Sequence, residues 1–298
     1  MPELPEVETI RSGLATHVPG SAIEGVEVHA PQVLRRQDGG PGALGDLVVG
    51  RTITGAHRRG KFLWLTLAGE DYALLIHLGM SGQVLVRARE REPHRHLRVR
   101  LALRRQDGSA QDLWFVDQRM FGYLAAVPLG PDPHGGGPIP VTMTHIGPDP
   151  FEPALVPGSP LRRRINRRIR ASTRGIKAIL LDQQVVSGVG NIYADEALWR
   201  ARVHGARPAN RLTAGKVEEI LTAATDVMVE ALAAGGTSFD ALYVDVAGEP
   251  GYFERALAAY GRAGQPCLRC GALIVRETYL GRSSFRCPRC QRRPARTR

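Results

Sequence analysis

Residues 62–82 read Phe62-Leu63-Trp64-Leu65-Thr66-Leu67, then Ala68-Gly69-Glu70-Asp71, then Tyr72-Ala73-Leu74-Leu75-Ile76-His77, then Leu78-Gly79-Met80-Ser81-Gly82. Two apolar runs of strand length divided by a Gly- and Asp-containing break read as successive short β-strands. Residues 23–29, 51–57, 83–87, 97–103, 113–116 and 123–127 repeat the pattern, and this spacing suits an all-β sandwich or barrel. Upstream, a helix is expected from Pro5 to about Thr16, with Val7, Ile10 and Leu14 on one stripe. Downstream, Gly/Pro-rich residues 128–140 open a linker that runs to about Pro160. From Leu161 the pattern turns helical, with segments expected at 174–182, 195–201 and 216–234. In the last of these, Val217, Ile220, Leu221, Ala224 and Met228 share a face, and Gly235 and Gly236 end it. Residues 237–253, rich in Gly, Asp and aromatics, read as a long loop.

The 298 residues carry 40 Lys+Arg against 29 Asp+Glu, a formal net charge of +11, which points to a polyanionic partner such as nucleic acid. The excess is clustered. Residues 161–177 hold seven Arg, one Lys and no acid, and residues 255–298 hold eleven Arg against the single acid Glu277. Two clusters with at most one acid each favour a phosphate-binding surface over a merely solvated face. No apolar run is long enough to span a bilayer and the first residues lack the order of a secretion signal, so an intracellular protein without a membrane partner is expected.

Three features carry chemistry. Cys267-Leu268-Arg269-Cys270 and Cys287-Pro288-Arg289-Cys290 are two Cys-x2-Cys pairs separated by sixteen residues, the spacing of a four-thiolate zinc site whose intervening residues form a hairpin with Arg282 near its tip. With all four positions filled by the protein, such a zinc is structural. At the other end, Met1-Pro2-Glu3-Leu4-Pro5-Glu6-Val7-Glu8 has two readings. Pro2 and Pro5 can simply start a helix, with Glu6 and Glu8 at its positive end. Alternatively, removal of Met1 leaves Pro2 as a secondary amine with a pKa of roughly 8, nucleophilic near neutral pH and able to form an iminium with an aldehyde carbon. Finally, His77 to Gly82 and Asp117-Gln118-Arg119-Met120-Phe121-Gly122 put bulky side chains on Gly-flanked turns, suited either to a core or to wedging into a base stack.

Taken together these stretches resemble the bacterial formamidopyrimidine-DNA glycosylase family. The resemblance rests on residues 2–9, on His77 to Gly82, on Ser187-Gly188-Val189-Gly190-Asn191-Ile192-Tyr193-Ala194-Asp195-Glu196-Ala197-Leu198, on Gly251-Tyr252-Phe253, and on Tyr260 to Cys267 leading into the zinc pattern, in the family's order. It implies an α+β multidomain fold: an N-terminal helix plus two-layer antiparallel β-sandwich (1–130, catalytic), a linker (131–160), a helical helix-two-turns-helix domain with a lesion-recognition loop at about 237–253 (161–260), and a zinc-finger β-hairpin with a basic tail (261–298). It also implies a cytoplasmic, nucleoid-associated bacterial monomer that binds double-stranded DNA with oxidised bases or abasic sites in a cleft between its domains. The lesion nucleotide is flipped out because its glycosidic bond is unreachable inside a duplex.

On this resemblance the enzyme is a glycosylase and AP lyase of base excision repair. Pro2 attacks C1′ to give a Schiff base, Glu3 is the acid/base and Glu6 supports the first turn. Lys61 contacts the lesion nucleotide and its phosphate, and His77 supports its loop or touches phosphate. Met80, Arg119 and Phe121 fill the vacated space, Asn191 and Arg282 clamp flanking phosphates with Gly190 assisting, and Cys267, Cys270, Cys287 and Cys290 hold one structural zinc. No catalytic metal or organic cofactor is expected. Three departures stand out. Met120 replaces a usual second arginine, Ser238-Phe239-Asp240-Ala241 replaces a more polar and basic start of the lesion loop, and residues 291–298 form a longer, more basic end that is expected to add nonspecific DNA affinity. The related endonuclease-eight branch, which prefers oxidised pyrimidines, is disfavoured by Leu4, where that branch typically has glycine. A non-catalytic DNA-binding module with a zinc ribbon is the rival of another class, and an RNA-binding protein a third.

Overall fold

A computed structural model of the chain describes residues 2–69, 71–236, 245–249 and 253–294. The readings made above for Met1, for 238–241, for 251–252 and for the last residues of the tail fall outside that set. Contacts divide the chain into one unit comprising Met1–His145 and Ala234–Tyr252 and a second comprising Ile146–Ala233 and Phe253–Arg298.

In the first unit the order is α1 (Leu4–His17), β1 (Ala22–Val28), a 3-10 turn (Pro31–Leu34), α2 (Gly40–Val48), β2 (Ile53–Arg59), β3 (Phe62–Leu67), β4 (Tyr72–His77), β5 (Gly82–Ala88), β6 (Leu97–Arg104), β7 (Ala110–Asp117), β8 (Tyr123–Gly130) and β9 (Ile139–Pro140). One sheet has the order β1-β6-β7-β5 and the other β2-β3-β4-β8-β9, with every pairing antiparallel. Strand alternation sorts the side chains. Leu63, Leu65, Leu74 and Ile76 meet Val84, Val99, Leu101, Leu113 and Phe115 in a single buried cluster, while Leu85, Trp114 and Val116, one residue out of phase, form a separate cluster with Leu97, which the register shift between Leu97 and Val99 carries to that face. Val7, Ile10 and Leu14 of α1 belong to the first cluster. The expected two-layer sandwich with an N-terminal helix is therefore present, and its helix is part of its core.

The 3-10 turn and α2 have no counterpart in the sequence reading. Gly39, Gly40, Gly42 and Gly45 look like breakers, yet Pro41 sits in the first turn, where its lost N–H costs nothing, and Leu44 and Val48 are fully buried. Part of the long loop also behaves differently from a free loop. Val246 is buried in the sandwich core, its carbonyl accepts from Val86 N–H at 3.0 Å, and a Cβ on Gly13 would lie 2.5 Å from its side chain.

The second unit contains α3 (Pro160–Arg170), α4 (Ile176–Leu180), α5 (Asn191–Arg200), α6 (Ala214–Ala233) and the hairpin β10 (Val275–Tyr279) and β11 (Arg282–Arg286). Ser159 caps α3, its Oγ accepting from Arg162 N–H at 3.0 Å. Gln183 shapes the turn between α4 and α5, with Nε2 donating to Val189 O at 2.9 Å and Oε1 accepting from Gly188 N–H at 2.9 Å.

Candidate functional site

The first helix is built around its own first three carboxylates. Glu3 is the N-cap, its backbone N–H donates to Glu6 Oε2 at 2.8 Å, and its side chain accepts from the Glu6 backbone in return. Pro2, Glu3 and Glu6 are all buried. Glu8 accepts from both Arg11 (2.7 Å) and Arg58 (2.7 Å), and Arg58 Nη1 also donates to Gly60 O at 3.3 Å. These two guanidiniums hold the Glu8 carboxyl below the usual range against the effect of burial. Arg58 thus straps α1 to the β2–β3 turn that carries Lys61, which is itself buried. Gly236, with φ of 87°, places its α-carbon so close that an added Cβ would sit 3.2 Å from Glu6 Cγ. Gly236 thus packs against the start of α1.

Beyond Lys61 the sheet lays aromatic rings in a row. Phe62, His77 and Tyr123 are register partners on β3, β4 and β8, with ring centroids 4.8 and 5.3 Å apart, and Arg35 lies over Tyr123 at 5.3 Å. Burial, then the charges of Lys61 and Arg35, lower the His77 pKa to about 4. Its Nδ1 accepts from Gly79 N–H at 3.2 Å, which leaves the proton of the neutral ring on Nε2.

Met80, Arg119 and Phe121 lie on two loops joined back to back. Met80 is 38% and Phe121 54% exposed, and Arg119 is exposed as well. A Cβ on Gly79 (φ 60°) would fall 2.4 Å from Gly122 N, and one on Gly122 would fall 2.8 Å from His77 O. Asp117, fully buried, is the hub. Its Oδ1 accepts from Ser81 Oγ–H at 2.5 Å and Arg119 N–H at 3.1 Å, and its Oδ2 accepts from Gly122 N–H at 2.8 Å. From outside, Arg35 donates to Gly122 O and Phe121 O, both at 2.7 Å. Met120 takes the left-handed conformation (φ 54°) with its side chain exposed. Three large apolar side chains, Met80, Met120 and Phe121, are thus held in water on a fixed backbone, an arrangement that has no core to explain it.

In the second unit Asn191 is the first residue of α5, and its Nδ2 donates to Ser283 O at 2.7 Å. Ser283 follows Arg282, the exposed first residue of β11. The hairpin turn is the two residues Leu280 (φ 50°) and Gly281 (φ 71°), the mirror-image turn that matches strand twist. A buried ion pair backs this arrangement. Lys177 Nζ donates to Asp195 Oδ1 at 2.6 Å and to Ser284 Oγ at 2.8 Å, and Phe285 N–H donates to Asp195 Oδ2 at 2.8 Å. Burial pushes the Asp195 carboxyl up while Lys177 and these donors oppose it. Next to it, Glu196 accepts from the backbone N–H groups of Ala258, Ala259 and Tyr260 at 3.0, 2.8 and 2.8 Å, which fixes the chain as it enters the cysteine region.

The four cysteines have reduced sulfurs that all lie within 4.8 Å of one another. Four thiolates at about 2.3 Å from a zinc ion in a tetrahedron stand roughly 3.8 Å apart, so the set fits one structural zinc. Trp199 Nε1–H points at Cys267 Sγ at 3.4 Å, and Arg269 covers the same indole at 4.2 Å. The metal-binding hairpin is therefore seated on α5.

Three family profiles match the chain in order. The formamidopyrimidine-DNA glycosylase N-terminal domain matches residues 1–124, the formamidopyrimidine-DNA glycosylase H2TH domain residues 146–242, and the zinc finger found in FPG and IleRS residues 264–293. A formamidopyrimidine-DNA glycosylase from a Nocardioides species is 52% identical over 298 residues, 100% of this chain and 97% of its own. The chain belongs to the formamidopyrimidine-DNA glycosylase family. The glycosylase of Mycolicibacterium gilvum is 51% identical over 295 residues, 99% of each chain. Among solved structures, Lactococcus lactis Fpg in complex with abasic-site DNA is similar with a TM-score of 0.81 at 29% identity, over 98% of this chain and 100% of that one. MutM in complex with DNA containing carbocyclic 8-oxo-G gives a TM-score of 0.82 at 29% identity and the same coverage. Both are members of this glycosylase family caught on damaged DNA.

Sequence reading did not single out Arg35, Asp117, Lys177, Asp195 or Glu196 as site residues. Asp117 and the Asp195-Glu196 pair lay inside quoted motifs. Their signal was an acid in an otherwise apolar or basic stretch, and only the donors around them reveal what they do. Arg35 had no signal, because its partners are backbone carbonyls.

Proposed function

We propose that this glycosylase excises oxidised purines, 8-oxoguanine and formamidopyrimidines, from duplex DNA and then cuts the strand at the abasic site by β,δ-elimination. The observation that carries the reading is the placement of Pro2, one residue ahead of a helix whose N-cap is pinned by the Glu3–Glu6 box. The nitrogen is fixed in position without being used by the helix, as attack on an extruded sugar requires.

With Met1 removed, the Pro2 nitrogen donates its lone pair to C1′ and the glycosidic C–N bond breaks, its electrons leaving with the base, which takes up a proton. Glu3 gives a proton to the sugar ring oxygen as the C1′–O bond opens, and the amine proton is lost as the iminium forms. Loss of a C2′ proton then expels the 3′-phosphate, a second elimination expels the 5′-phosphate, and water releases the sugar fragment from Pro2. Glu6 supports Glu3, Lys61 contacts the lesion nucleotide and its phosphate, and His77 supports the Met80 loop as a neutral donor. Met80 and Phe121 replace lost stacking and Arg119 faces the orphaned base, while Asn191 and Arg282 hold flanking phosphates. We assign catalysis to residues 1–130, linkage to 131–160, and DNA gripping to 161–260 and 261–298, in a monomer working on nucleoid DNA in the bacterial cytoplasm. The described residues contain no helix long and apolar enough to cross a membrane.

Borohydride reduction in the presence of a duplex bearing 8-oxoguanine opposite cytosine, or an abasic site, tests this. A covalent adduct that disappears in Pro2→Gly is expected. No adduct, or one that persists in Pro2→Gly, overturns the mechanism, and faster excision of thymine glycol than of 8-oxoguanine overturns the substrate class.

A further inference from the structure

At the far end of α5 from Asn191, about 15 Å along a ten-residue helix at roughly 1.5 Å per residue, lies a cavity of about 250 Å³. Arg202, Arg207, Lys216, Arg289 and Arg292 line it together with Val203, His204, Leu212 and Cys290, and no acidic residue is among the lining. Lys216 is paired with Glu219 at 2.5 Å. Arg202, Arg207, Arg289 and Arg292 are exposed and make no ion pair or side-chain hydrogen bond among the described residues. Glu277, the acid nearest in sequence to the last two, is already held by Arg286 at 2.5 Å and Arg293 at 2.6 Å.

Four unneutralised guanidiniums converging on one concavity repel each other, and no carboxylate of the described chain relieves that. His204, which also lines the cavity, is buried and held in place by its Nδ1, which accepts from Ala206 N–H at 3.0 Å. No Phe, Tyr or Trp lines the cavity, so the usual large platforms for stacking a base are missing there.

We propose that this cavity is a second anion site that binds phosphate oxyanions, recognising the phosphate group and not a nucleobase. It is separate from the Asn191–Arg282 clamp and goes beyond the glycosylase reading, on which it does not depend. Its source is either a backbone phosphodiester of DNA outside the lesion or a free polyphosphate, and one experiment separates them.

Calorimetric titration of the full-length, zinc-loaded protein with pyrophosphate at low ionic strength is expected to show one saturable site. Arg202→Asn combined with Arg207→Gln is expected to weaken it about tenfold or more, since each removes a charged contact to the oxyanion, with zinc content and melting temperature unchanged. Asn is chosen at 202 because Arg202 has φ of 56°, which Asn tolerates. Arg292→Gln, on a different segment of the lining, is an independent variant and is expected to weaken binding as well. Absence of saturable binding in the unaltered protein, or equal affinity in both variants, overturns the proposal. Repeating the titration with saturating undamaged duplex identifies the source. Loss of pyrophosphate binding assigns the site to the DNA backbone, and retention assigns it to a free polyphosphate.

Discussion

Replacing Asp117 with asparagine tests whether the paired loops owe their shape to one carboxylate. The group accepts three hydrogen bonds, two at Oδ1 and one at Oδ2, and an amide has a single oxygen. If that oxygen keeps Ser81 and Arg119, the NH2 faces Gly122 N–H, donor against donor, in a site with no solvent access. One charge-assisted bond is lost and one buried donor is stranded, together about 3 kcal/mol, or roughly a 150-fold change in an equilibrium. Urea unfolding should therefore show a lower midpoint at unchanged slope, by about that free energy. Single-turnover excision of 8-oxoguanine should fall at least tenfold on the same reasoning. Borohydride trapping on an abasic duplex should persist more strongly, because Pro2 and Glu3 do not touch this hub. An Asn variant within about 0.5 kcal/mol of the parent and with full excision would refute the reasoning, since that is the scatter expected of an ordinary surface change.

Lys177→Met leaves Asp195 as a buried charge without its cation, and such half-pairs cost about 3–5 kcal/mol. Lower thermal stability and faster hydrogen exchange across 282–286 are expected, and unchanged exchange there would show that the pair does not hold the hairpin. Removing zinc with a chelator should unfold residues 264–293 and abolish tight duplex binding, with recovery on adding zinc back. Circular dichroism and a binding titration read this directly. For His77, the folded pKa of about 4 lies below the usual 6.5, so the unfolded chain binds the extra proton first. Its contribution to stability is complete above about pH 6.5 and drains away as pH falls toward 4. Denaturation midpoints across that window should fall less steeply in His77→Gln than in the parent.

Where chemistry imposes spacing, the sequence was legible. The cysteine pairs, the Pro2-Glu3 start and the Gly-flanked tips all depend on local geometry, and apolar runs of strand length bounded by a Gly- and Asp-containing break made strands β3 and β4 readable to the residue. Helix α2 was hidden because four glycines argue against a helix, whereas burial of Leu44 and Val48 decides it. The loop's return was hidden for a related reason. Val246 looks like any loop valine until Gly13, far away in sequence, turns out to leave room for it. Similarly, Asp117, Arg35 and the Lys177–Asp195 pair act on groups distant in the chain, so no window of sequence contains both partners. What single-sequence reading misses here is the long-range half of each interaction.

The close approach of Gly79 to Gly122 has a further consequence for how this enzyme can vary. Because the backbones of the two tips touch, a change of length or shape in either one is a change in the seat of the other. A chimera that imports only the Met80 tip from a relative of different loop shape should therefore lose excision, and one that imports both tips should regain it. The two tips thus form one structural module, although the chain encodes them in two separate places.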